Sequence, residues 1–206
     1  MLWQMLCAPR PASPAVYSGA AMRLTLIRLE LLASALLLGV ALAWSALRGL
    51  DLVGAIRPAL GPTAMGAGAG LALAATLPLV TAPWATRVLV LRGLRRSWDA
   101  LQSTLGPGLG VREVLVLALG SAVSEEAFFR GVVQREFGLA AASICFGLLH
   151  PLGLAYMVWA GVVGAGLGAL FTTTGSLCAP ATAHAMYNLL ALAYLRRRSI
   201  GADGRR

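Results

Sequence analysis

Leu29-Glu-Leu-Leu-Ala-Ser-Ala-Leu-Leu-Leu-Gly-Val-Ala-Leu-Ala-Trp-Ser-Ala-Leu47 is the stretch that decides the fold. A helix needs roughly 20 apolar residues to cross the hydrocarbon core of a bilayer. In lipid the backbone must also satisfy its own polar groups, which an α-helix does. Outward from this run the same texture recurs, predicting further spans over Ala64 to Val80, Val111 to Val133, Leu139 to Leu149, Leu154 to Thr172 and Leu177 to Leu195. The segment from Leu139 is short for a crossing, which predicts a tilt or entry into a protein-lined cavity. Gly66, Gly68 and Gly70 predict close helix packing within the second span. The fold class that follows is all-α, a polytopic transmembrane helical bundle of about six spans.

Composition points the same way. Hydrophobic residues make up 58% of the chain and charged residues 12%, against about 25% charged in soluble domains. The 206 residues hold one such membrane domain and leave no room for a second folded unit. The domain reading is a disordered leader or mis-assigned start over 1–22, a single membrane domain over 23–198, and a basic cytoplasmic tail over 199–206. Three prolines mark the leader, and no apolar core of signal-peptide length precedes Met22.

The net charge of +9 comes from 17 basic residues, all of them arginine. They lie between the apolar runs and at the C-terminus, the placement expected of cytoplasmic flanks, so the charge reads as topology and not as nucleic-acid binding. Between Pro83 and Gly110, Arg87, Arg92, Arg95 and Arg96 surround short apolar patches ahead of a turn at Gly106 to Gly108. This predicts a cytoplasmic loop with an interfacial amphipathic helix. With six spans this loop and the tail share one side, and both termini are cytoplasmic. Cys7, Cys145 and Cys178 have no CxxC spacing and imply neither disulfides nor a metal site.

Chemistry concentrates where polar groups enter apolar spans. A charge at the bilayer centre costs about 2.5 to 3.5 kcal/mol on insertion scales. Ser121-Ala-Val-Ser-Glu-Glu-Ala-Phe-Phe-Arg-Gly131 places three ionisable groups in one helix. Glu126 and Arg130 are one turn apart and can pair, which leaves Glu125 for chemistry. The chain has two histidines, both in later apolar runs: Phe146-Gly-Leu-Leu-His150 and His184-Ala-Met-Tyr-Asn188. His184 and Asn188 share a helix face, where two neutral donors can hold a developing oxyanion. A carboxylate near His150 can polarise a water.

These three motifs, in this order, resemble the CPBP intramembrane proteases, also called the CAAX prenyl endopeptidase or Abi family. The resemblance covers about Ser121 to Leu192. It implies that Glu125, helped by His150, activates the attacking water and that His184 and Asn188 stabilise the tetrahedral intermediate. Glu126 and Arg130, with Phe146, would support the site. It also implies a water-containing cavity among the helices, open to substrate from the membrane or the cytoplasmic face. No cofactor is expected: zinc is the alternative, but no HExxH helix is present and Asn188 is a poor zinc ligand.

The expected function is therefore endopeptidase cleavage of a membrane-associated protein or peptide, with the lipid bilayer as setting and no nucleic-acid partner. The arginine-only, alanine- and glycine-rich composition suits a GC-rich bacterial genome and hence a bacterial inner membrane. Two rivals are a small transporter, which would also bury Glu, His and Arg, and a non-catalytic scaffold or immunity protein whose polar residues satisfy one another. Broken-helix repeats, common in transporters, are not evident in the sequence.

Overall fold

The computed structural model describes residues 19–56, 58–105 and 109–203. Most of the expected leader, the turn at 106–108 and the end of the tail lie outside these residues.

The described residues form helices throughout, with short turns between them. Helix α1 spans Gly19–Arg48, α2 Leu60–Ala74 and α3 Leu77–Thr81, followed by a 3-10 turn at Pro83–Arg87. Helix α4 spans Leu89–Leu105, α5 Val111–Phe128, α6 Gln134–Leu148, α7 Leu154–Thr174 and α8 Cys178–Asp203. Each predicted span has a helix at its place. Among the described residues three stretches are long and apolar enough to cross a membrane: Ile27–Arg48, Leu60–Thr81 and Leu154–Thr174. The helices at the other three places carry the ionisable groups, or are shorter, as α6 is.

Helices α5 and α8 pack together at the centre; α1 lies against α5, α2 along α8, and α6 pairs with α7. The α2–α8 contact depends on absent side chains. A methyl group at Gly70 would sit 2.6 Å from the Ala183 carbonyl oxygen and 2.7 Å from Cβ of Met186, closer than van der Waals contact permits. At Gly66 it would collide with the Ala179 carbonyl oxygen. Gly68 differs from expectation: it meets nothing within 4 Å and takes no part in this contact.

Helix α4 bears out the amphipathic reading. Leu94, Trp98, Leu101 and Leu105 recur at helical spacing; Leu94 and Trp98 are buried while Arg92 and Arg96 are exposed. The Ser97 hydroxyl donates to the Leu152 carbonyl at 2.6 Å, and the Trp98 ring lies 5.7 Å from that of Tyr194 on α8. The helix is thus fastened to the turn after α6 and to α8.

Between α5 and α6 the chain does not turn away. A π-helical turn at Phe129–Val133 joins them. The following helix breaks at Gly138, whose φ of 83° and ψ of 169° lie outside the helical region, a conformation a side chain would oppose. The second apolar piece therefore begins at Leu139, where the expected fourth span also starts.

Candidate active site

Helix α5 delivers the carboxylates. Glu126 is buried with Arg130, each side chain 1% exposed, and Arg130 donates to Glu126 Oε1 over 3.1 Å. The predicted one-turn pairing forms even though the π turn begins between the two residues. The second arm of the guanidinium donates to the Gly164 carbonyl on α7 at 2.7 Å. Its carbon lies 4.7 Å from the centre of the Phe146 ring, a cation–π distance. Arg130 therefore ties α5 to α6 and α7.

The same oxygen, Glu126 Oε1, lies 2.8 Å from Nδ1 of His184 on α8. A carboxylate paired with arginine only accepts, so Nδ1 carries the hydrogen. This alters the expectation of two neutral donors. The neutral ring then presents an acceptor at Nε2, and His184 donates there only as the imidazolium. Two carboxylates flank that ring, since Nε2 lies 4.0 Å from Glu125 Oε2.

His150 follows the C-terminal end of α6, where its Nδ1 faces the Phe146 carbonyl oxygen at 2.7 Å. A carbonyl oxygen accepts, so the hydrogen is again on Nδ1 and the lone pair of the neutral ring is on Nε2. That nitrogen is 3.7 Å from Glu125 Oε2. The gap is too long for a direct hydrogen bond, and with the ring neutral both groups are acceptors. Phe146 packs on both imidazoles, with ring centres 4.5 Å from His150 and 5.9 Å from His184.

Asn188, one turn beyond His184, donates from Nδ2 to the Ser121 hydroxyl on α5 at 3.0 Å. All four candidates, Glu125, His150, His184 and Asn188, line one cavity of about 250 Å³. The candidate supporting residues Glu126, Arg130 and Phe146 stand around it, Phe146 in its wall. No predicted site residue falls elsewhere. The remaining wall is largely apolar and includes Leu94, Trp98, Leu101 and Leu105 of α4. Among the described residues no group of three or more His, Cys, Asp and Glu side chains is placed to hold a metal ion.

Two residues of this wall were missed in the sequence. Glu30 of α1 lines the cavity, with Oε1 3.3 Å from the Ser34 hydroxyl that donates to it. It was concealed by the apolar run around it, although a lone acid in a span is itself a signal. Ser121 carried no signal, because its partner is 67 residues away.

Comparison with known proteins places the same region. Residues 107–190 match the family model described as type II CAAX prenyl endopeptidase Rce1-like. A curated relative, the uncharacterized protein YpbD of Bacillus subtilis (strain 168), is 30% identical over 96 residues, 45% of this chain and 51% of that protein. The match thus spans about half the length of the curated relative. No solved structure matches the chain. The matched range contains the acidic motif of α5 and both histidine motifs, so over residues 107–190 the chain is similar to the type II CAAX prenyl endopeptidase Rce1-like family in the part that builds the cavity.

Proposed function

We propose that the protein is an intramembrane endopeptidase that hydrolyses a peptide bond of a membrane-associated protein or peptide, without a metal ion. The observation that carries this reading is the pair of acceptors, Glu125 Oε2 and His150 Nε2, facing each other at 3.7 Å in the cavity wall. A water beside this pair, on its cavity side and within reach of both, donates one hydrogen to each, which turns its oxygen lone pairs toward the cavity. As that oxygen attacks the substrate carbonyl, Glu125 takes a proton. The carbonyl oxygen becomes an oxyanion, held by Nε2–H of the His184 imidazolium and the amide of Asn188. Collapse of the intermediate breaks the C–N bond, and the proton on Glu125 passes to the leaving amine. Glu126 accepts from Arg130 and His184 and so compensates both. The three apolar helices and the family match over residues 107–190 support the membrane setting; the bacterial inner membrane, the cytoplasmic termini and the six-span count are part of the same proposal.

The test uses the purified full chain in detergent and a peptide selected from a random library as the one it cuts fastest, read by mass spectrometry. Glu125→Gln is expected to abolish cleavage while the unfolding midpoint stays unchanged, and His184→Ala to lower turnover by about 100-fold or more. Cleavage that survives Glu125→Gln refutes the base assignment. Cleavage lost to chelators and restored by added zinc refutes the metal-free mechanism.

A further inference from the structure

An oxyanion needs a donor, and a carboxamide offers one only when turned the right way. Asn188 carries a donor and an acceptor of almost identical shape, so rotation by 180° would aim Oδ1 at the developing negative charge and repel it. Something must choose between the two orientations.

Ser121 makes that choice. It is buried, at 9% exposure, and its hydroxyl donates to the Leu117 carbonyl one turn back at 2.7 Å. A hydroxyl has one hydrogen. With that hydrogen committed, Ser121 Oγ offers only lone pairs to its other neighbour, the Asn188 carboxamide at 3.0 Å. The amide must present Nδ2 there, because Oδ1 in its place would set two acceptors against each other. One N–H of Asn188 is bound to Ser121 and the other remains for the cavity that both residues line. The hydroxyl also stands one helical turn before Glu125 on α5, so the carboxylate and the lock of the amide are held by the same rigid element.

We propose that Ser121 is a positioning residue that locks the Asn188 carboxamide with its N–H group toward the reacting carbonyl. This rests on the reading of Asn188 as an oxyanion donor. Ser121 itself touches no reacting atom. Its loss would leave Asn188 free to sample the repelling orientation, which slows the chemical step and leaves ground-state binding alone.

The experiment measures kcat and KM on the library-selected peptide for the parent, Ser121→Ala, Ser121→Thr, Asn188→Ala and the Ser121→Ala/Asn188→Ala double variant, with unfolding midpoints alongside. Ser121→Ala is expected to lower kcat by about 10-fold at constant KM. Ser121→Thr, which keeps the hydroxyl, should restore kcat to within about twofold. In the Asn188→Ala background Ser121→Ala should add no further loss, since there is no amide left to orient. Additive losses, or a fall in kcat that tracks a fall in the unfolding midpoint, would make Ser121 a packing residue and overturn the lock. Full turnover in Ser121→Ala beside a large loss in Asn188→Ala overturns the lock alone. Full turnover in Asn188→Ala removes the donor reading beneath it.

Discussion

At the scale of single residues, Arg130 shows how a charge becomes tolerable inside an apolar bundle. It has an ion pair with Glu126, a carbonyl acceptor on α7 and an aromatic face beneath it. Removing one member of such a pair leaves the other buried and uncompensated, which costs about 3 to 5 kcal/mol. Arg130→Met is therefore expected to lower the unfolding midpoint in detergent strongly. Arg48→Gln serves as its counterpart: that arginine pairs with Glu136 at 3.1 Å, but its side chain is 61% exposed. Its loss should cost no more than about 1 kcal/mol, and equal losses in the two variants would contradict the account. The Glu126–Arg130 pair and the shared face of His184 and Asn188 were legible in the sequence because they obey the four-residue repeat of one helix. The Ser121–Asn188 and Glu126–His184 contacts were not, since each joins two helices whose relative rotation no local spacing encodes. The tautomer of His184 was illegible for the same reason, being dictated by a carboxylate 58 residues away.

At the scale of elements, the site depends on how closely α2 lies on α8. Gly70 faces Ala183, the residue immediately before His184, and a side chain there would press on backbone. Gly70→Ala is expected to destabilise the protein by about 1 to 3 kcal/mol and to lower turnover as His184 shifts. Gly68→Ala, two residues away in open space, should leave both unchanged. Equal behaviour of the two variants in thermal unfolding would argue against this packing. The glycine-rich texture was visible in the sequence, but which glycine faces the neighbour was not, because nearly every residue of α2 is small or apolar and no face stands out. Helix α4 is the opposite case. Its arginines around short apolar patches announced an amphipathic helix, but which side is buried comes from the packing, where Leu94 and Trp98 turn inward.

For the whole molecule, the number of helices that cross the bilayer decides where the two ends of the chain lie. Three qualify by length and hydropathy. The six-span reading adds α5 with its π turn, α6 and α8, and it puts both termini on the arginine-rich side. Reporter fusions at the two ends, one type active only in the cytoplasm and the other only outside, should give the same cytoplasmic answer at both. Opposite answers would require an odd number of crossings. Hydropathy identified the order of the helices because each carries a sustained apolar run. It was weakest where function intervenes, since α5 and α8 carry the charged and polar residues that an average over many positions penalises.

The π turn at Phe129–Val133 sets the heading of Gln134, Arg135 and Glu136, which reach Gly168, Asp51 and Arg48 on neighbouring parts of the bundle. Relative to an α-helix it holds one surplus residue, and each residue advances a helix by about 100°. Excising a single position there would leave every reactive group in the chain while swinging the stretch that follows, up to the break at Gly138, onto a different heading. The turn acts as an indexing notch for those three contacts.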